Sequence, residues 1–235
     1  MSSRRGARSN PVRPCPADIE VTGRQRFDRD VERWDRIYSG TGPALVRVWN
    51  RATRANVRQR FDRSFELAGP LNGKTVLDLG AGTGRYVTHA LDHGARHAVA
   101  VDSSPAMVAH LAAMRDERGY GSKMEVLQAD ITELELSRSF DLVIVNGVLD
   151  YAADPGGVVR TAWHLCDGQL VMTAPDRWAL RAPIRRSYWK ARGLRTCYFR
   201  RGELVALLEA AGARPSTIER IGPVFLVAAA ARSRS

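Results

Sequence analysis

Three aspartates and a glycine run are the residues whose types and spacing could do chemistry. Asp78 stands two residues ahead of Gly80, with Gly82 and Gly84 following at alternate positions. Glycine lets a backbone turn sharply and approach a ligand with no Cβ in between. A helix that starts just after such a turn aims free N–H groups and the positive end of its dipole at that ligand. Asp102 follows about 20 residues later, at a spacing where one carboxylate can accept from both hydroxyls of a ribose diol. Asp130 closes a third apolar run, Met124 to Ile131.

These residues need strands to carry them and helices to back them. Thr75 to Leu79 is a short apolar run suited to a buried parallel strand. His97 to Val101 reads as a second strand ending in Asp102, and Phe140 to Asn146 as a fourth. Helices are expected near 84–93 and 105–118, the second capped by Ser104 with Pro105 at its first position. Asp154-Pro155 reads as another cap, opening a helix to Leu165 that leads to a fifth strand, Gln169 to Thr173. Leu204, Leu207, Leu208 and Ala211 mark an amphipathic helix. Thr217 to Ile221 and Val224 to Ala230 read as two closing strands. Ahead of all this, Phe27 to Tyr38 and Leu45 to Ala68 read as helices separated by Gly40-Thr41-Gly42-Pro43. Alternating strands and helices imply a doubly wound α/β sheet.

The glycine spacing is G-x-G-x-G, not the dinucleotide G-x-G-x-x-G, whose third glycine would fall on Arg85. With the acidic residue ahead of it, this form resembles motif I of the class I S-adenosylmethionine-dependent methyltransferases. Asp102, Asp130 with Ile131, and the segment from Asn146 follow in that family's order. The resemblance covers residues 75–174 well and the rest more loosely. It implies a Rossmann-like sheet of seven mostly parallel strands, a C-terminal antiparallel hairpin and an N-terminal helical lid. It implies S-adenosylmethionine as cofactor, with S-adenosylhomocysteine as product. Cofactor contacts are thereby expected from Tyr38, Asp78, Gly80, Ala81, Gly82, Thr83, Gly84, Asp102, Ser103, Met107, Asp130, Ile131 and Asn146.

The acceptor side is less specific. Where many small-molecule methyltransferases carry Glu-His, this chain has Asp150-Tyr151, so the obvious histidine base is missing. Tyr151 and Asp150 are the catalytic candidates. Tyrosine ordinarily ionises near pH 10, and packing against cofactor or substrate is its other role. The Asn- or Asp-Pro-Pro-aromatic motif of base-amine methyltransferases is absent, which disfavours that nucleic-acid chemistry. Residues 176–200 form a basic, aromatic insertion with three readings: a lid over an aromatic or acidic small molecule, a membrane-surface element, or a clamp for single-stranded RNA. The first is preferred, and substrate contacts are expected from Trp34, Tyr151, Trp178, Arg181 and Trp189. His89, His93 and His97 read as partly exposed polar residues and His164 as structural; no metal site is expected.

The chain has 235 residues, enough for one substantial core. Residues 1–20, rich in Ser, Arg and Pro, read as a disordered basic arm, and 21–235 as a single domain. The net charge of +11, nearly all arginine, favours anionic partners. Three cysteines in no metal or paired pattern argue against a disulfide framework and for a reducing cytoplasm. No apolar run reaches the ~20 residues of a membrane span. The reading that results is a methyltransferase acting on a small, aromatic or acidic molecule of secondary or cofactor metabolism. The alternatives are an RNA methyltransferase and a cofactor-assisted cyclase on the same fold.

Overall fold

Seven strands form one sheet in the order β3-β2-β1-β4-β5-β7-β6. They are β1 (Thr75–Leu79), β2 (His97–Asp102), β3 (Met124–Gln128), β4 (Phe140–Val145), β5 (Cys166–Pro175), β6 (Thr217–Ile221) and β7 (Val224–Ala230). Among the described residues the main helices are α1 (Ala44–Ala68), α2 (Arg85–Asp92), α3 (Pro105–Glu117), α4 (Pro155–His164) and α5 (Arg201–Ala210). This computed structural model describes residues 44–231 apart from 180–181, 184–186, 188–189 and 192–195, with side chains of α1 described from Ala55 onward. The basic arm, the expected helix at 27–38, Trp34, Tyr38, Arg181 and Trp189 lie outside the described residues.

Strands β1 to β5 run parallel, while β7 runs antiparallel to both β5 and β6. The expected closing hairpin is therefore present, with its second strand placed against β5. Runs such as Phe-Asp-Leu-Val-Ile-Val in β4 are nearly all apolar because helices cover both faces. Leu77, Leu79, Val143 and Val145 face one core with Val158, Val159, Leu204 and Leu208 of α4 and α5. Val76, Leu142 and Ile144 face the other, with Ala68, Val87, Ala90 and Leu111 of α1 to α3. The chain runs outward from β1 through β2 to β3 and then returns to β4 on the other side of β1. That reversal leaves a crevice above the carboxyl ends of β1 and β4, where open α/β sheets bind ligands.

Three boundaries differ from the sequence reading. Strand β3 stops at Gln128, because Asp130 Oδ1 takes the N–H of Thr132 and starts a single 3-10 turn, Ile131–Glu133. Strand β5 is longer than expected at both ends. Cys166 pairs with Phe140 beyond an irregularity in the register, and Pro175 pairs with Val224. Asp154 precedes α4 as expected but makes no capping hydrogen bond; its carboxylate pairs instead with Arg160, 3.1 Å away.

Candidate functional site

The glycine loop sits at the crevice. Gly80 N–H and Ala81 N–H both donate to Val101 O of β2, at 2.8 and 3.0 Å, which pins the loop to the neighbouring strand. All three motif glycines have positive φ, a region that costs L side chains strain. Their surroundings differ. A Cβ on Gly84 would lie 2.6 Å from Met114 Cε and 2.7 Å from Leu111 Cδ2, so this glycine permits close packing of α2 on α3. A Cβ on Gly82 would meet nothing within 4 Å. Gly82 thus borders open space, where a ligand can lie against bare backbone.

Asp102 ties this loop to the start of α3. Its Oδ2 accepts from Gly82 N at 2.8 Å and its Oδ1 from Ser104 N at 2.9 Å. Ser104 in turn caps α3 by accepting from Met107 N. Thr83 and Ser103 are half-buried, whereas Ala81 and Met107 are buried.

Asp78 is the electrostatic oddity of the site. It is 2% exposed, and its Oδ2 has no hydrogen-bond partner. Burial pushes its pKa up to about 7, the nearby Asp102 charge pushes the same way, and the N–H of Val87 pulls it back only partly. Strand alternation fixes where it points. Its neighbours Leu77 and Leu79 face the α4–α5 core, so Asp78 faces the α1–α2 side.

Asn146 faces the same side, since Ile144 does and Val145 does not. Asp78 is paired in register with Ile144, which brings Asn146 to the level of Gly80. Asn146 Nδ2 donates to Ser64 Oγ of α1 at 3.3 Å. Its Oδ1 is buried and has no partner. Two donorless acceptors therefore lie on one face, at the carboxyl ends of adjacent central strands. Such groups are costly to bury alone, and together they suit a ligand group rich in N–H donors.

Around this pair the other expected residues take their places. Asp130 and Ile131 lie at the end of β3, half-buried; Asp130 Oδ1 also accepts from Thr132 Oγ1 at 2.7 Å. Gly147 N–H donates to Thr173 Oγ1 at 2.9 Å, which anchors the segment after β4 to β5. Asp150 is buried, and its backbone O accepts from Cys197 N at 2.9 Å. Tyr151 is half-buried and packs on the α4–α5 core, its N–H bonded to Val148 O in a tight turn. Trp178 is 68% exposed and stands elsewhere. It lines a surface cavity of about 590 Å³ with Arg200, Arg201, Ile218, Arg220 and Phe225, and no glycine-loop residue is among the walls.

Sequence reasoning missed Ser64, Thr173 and Val148. Ser64 left a signal: it is a polar residue three after Phe61 and four before Ala68, inside the apolar stripe of α1. Val148 left none; it fills the space that a Cβ on Gly80 would need. His89 is a packing residue, its ring 4.1 Å from Phe65 and 3.8 Å from His93. Burial, then the His93 ring, hold its pKa below the usual value. Cys166 is a free, buried thiol pushed up to about 12 by burial. Cys197 is buried as well. Among the described residues no three His, Cys, Asp or Glu side chains converge as a metal site would require.

Residues 76–167 match the family described as "Methyltransferase domain". Over those residues the chain carries a methyltransferase domain, on the fold of the class I S-adenosylmethionine-dependent enzymes. S-adenosylmethionine is the cofactor of that family. The domain is similar to tRNA U34 carboxymethyltransferase of Aeromonas hydrophila subsp. hydrophila, 34% identical over 114 residues, which are 48% of this chain and 35% of the relative. The chain thus spans about a third of the length of the curated relatives it matches. Among solved structures, the chain resembles magnesium protoporphyrin IX methyltransferase of Synechocystis PCC 6803 with bound SAH. The TM-score is 0.73 at 20% identity, over 92% of this chain and 100% of that one. It also resembles 1,6-didemethyltoxoflavin-N1-methyltransferase of Burkholderia thailandensis, with TM-score 0.65 at 21% identity over 94% and 92% of the two chains. The cyclase SpnF shares the fold, with TM-score 0.67 at 18% identity over 94% and 97%. Among the described residues no helix is long and apolar enough to cross a membrane.

Proposed function

We propose that this methyltransferase acts on a small organic molecule, aromatic or acidic in character, and releases S-adenosylhomocysteine. The observation that carries the cofactor assignment is the pair of donorless buried acceptors, Asp78 Oδ2 and Asn146 Oδ1, on one face at the carboxyl ends of β1 and β4 beside the glycine loop. An ammonium, such as that of the cofactor's amino-acid end, supplies the missing donors and a charge to match Asp78. Asp102 accepts from the ribose hydroxyls while holding Gly82 and Ser104. Asp130 and the N–H of Ile131 border the adenine edge. Ala81, Thr83, Gly84, Ser103 and Met107 complete the walls, and Tyr38 closes on the methionine end.

The cofactor supplies a methyl group already activated on a sulfonium. The protein has to align the acceptor with it, exclude water and accept a proton where the nucleophile carries one. The segment Asn146 to Tyr151 flanks that reaction space. Tyr151 and Asp150 are the groups that would take the proton; packing against the acceptor is the alternative for Tyr151. Trp34, Tyr151, Arg181 and Trp189 form the substrate side, and their cationic and aromatic character suits a planar anion; Trp178, in its separate cavity, is not among them. Residues 21–235 form one domain behind the arm of residues 1–20. The free, buried Cys166 suits a reducing cytoplasm, the proposed location.

A small acceptor is favoured by two facts. The segment after β4 lacks the Pro-Pro-aromatic run that amine methylation on nucleic-acid bases employs. The likeness to enzymes named for small molecules extends over nearly the whole chain, whereas the likeness to tRNA enzymes stops at half. RNA is the second reading, favoured by the tRNA relatives and the charge of +11. The likeness to SpnF keeps a cyclase as a third. Cofactor with an isotopically labelled methyl group, incubated with the protein and fractionated cell extract, separates them. Label in a low-molecular-weight compound supports the proposal; label confined to RNA overturns it; cofactor binding with no transfer anywhere points to the cyclase.

A further inference from the structure

Ser64 is an anomaly in α1. It is 2% exposed on a helix face otherwise lined by Phe61, Phe65 and Ala68. Its hydroxyl donates to Arg60 O, one turn back, at 2.7 Å. With its only proton committed there, Ser64 Oγ can act toward Asn146 solely as an acceptor. Asn146 Nδ2 occupies that acceptor at 3.3 Å. The chain of bonds therefore has one direction, from the Asn146 amide through Ser64 to the Arg60 carbonyl. An amide has two unlike ends, and this relay settles which end faces α1. The remaining end, Oδ1, is left buried with no donor, on the same face as the donorless Oδ2 of Asp78.

We propose that Ser64 is a positioning residue that locks the Asn146 amide with Oδ1 presented to the ammonium group of the bound ligand. The inference rests on the cofactor reading of this site. A rotated amide would aim two N–H donors at a cation and oppose it. Ser64 thereby converts a side chain with two equal-sized faces into an acceptor of fixed sense, and Asp78 supplies the charge. It also makes α1 part of the cofactor site without touching the cofactor. The recognised feature is a primary ammonium beside the sulfur-bearing chain, so ligands lacking it gain nothing from Ser64.

The test is calorimetric binding of S-adenosylhomocysteine and of its deamino analogue, in which hydrogen replaces the amino group. Ser64→Ala is expected to weaken S-adenosylhomocysteine about tenfold while leaving the deamino analogue unchanged. Ser64→Thr keeps the hydroxyl and restores binding. In an Asn146→Asp background, where both oxygens accept, Ser64→Ala produces no further loss. An equal loss for both ligands overturns the proposal, because it marks a purely structural role. Unchanged affinity for S-adenosylhomocysteine in Ser64→Ala overturns it as well. If the unaltered protein binds neither ligand, the cofactor reading itself fails and takes this inference with it.

Discussion

Replacing Asp78 by Asn tests the electrostatics of the site most directly. Its pKa is raised from 3.8 to about 7, chiefly by burial. The native state therefore holds a proton that the unfolded state gives up between those values. Stability from this group is fully present below pH 3.8 and is lost as pH rises through 7. A tenfold difference in proton affinity is worth ~1.4 kcal/mol, so the ionised carboxylate costs about 4 kcal/mol above pH 7 and about 1.5 kcal/mol at pH 5. Asn is nearly the same size and never ionises. Its extra N–H donors carry a cost of their own, roughly 1–3 kcal/mol, but that cost does not change with pH. The informative quantity is therefore the change in the stability gap between the two proteins across pH. From about pH 5 to about pH 8 the gap should move by about 2.5 kcal/mol in favour of Asp78→Asn. For a domain of this size that is roughly 5–10 °C in Tm. Thermal denaturation of both proteins at several pH values reads it. Parallel Tm curves would refute the assignment of a buried, reluctantly ionised carboxylate. The same variant should bind S-adenosylhomocysteine roughly tenfold to a hundredfold more weakly at about pH 8, because the charge that matches the ammonium is gone.

Other perturbations separate the parts of the site. Gly82→Ala should cost only about 1–2 kcal/mol from its positive φ yet reduce cofactor affinity sharply, since the added methyl enters open ligand space. Gly84→Ala should do the reverse, losing about 2–4 kcal/mol against Leu111 and Met114, read by chemical denaturation. Asp102→Ala removes the ribose acceptor and frees both Gly82 and Ser104, so calorimetry should find cofactor binding reduced at least a hundredfold; unchanged affinity sinks the ribose assignment. Tyr151→Phe should lower turnover with little effect on cofactor affinity, and intact turnover would leave Tyr151 a packing residue.

Much of this site is legible in the sequence, for identifiable reasons. Strands β1, β2 and β6 end at Gly80, Asp102 and Gly222, and β7 begins after Pro223, so each apolar run has little freedom at that end. Ser104-Pro105 marks α3 because capping and proline chemistry are local. What local chemistry does not decide is harder to read. Strand β5 gains its last residues only from pairing with β7, and β3 loses its last to a side-chain bond from Asp130. Asp102 is legible as a ligand group, but not as the tether of Gly82, which depends on how two strands sit side by side. The sense of the Asn146 amide depends on a serine 82 residues away. The exposure of Trp178 is illegible too, because an aromatic in a basic insertion gives no sign of which cavity it joins.

The position of β7 also sets the order in which the sheet can assemble. Strand β6 is made before β7, yet its neighbour in the sheet is β7 alone. As the chain leaves the ribosome, β1 to β5 can pair in turn, but β6 has nothing to join until residues 224–230 emerge. Until then β5 presents a long unpaired edge, the kind that recruits foreign strands. Strand β7 is thus the keystone of that half of the sheet. A nascent chain stalled before it would expose an aggregation-prone edge while its cofactor crevice, built from β1, β2 and β4, was already in place.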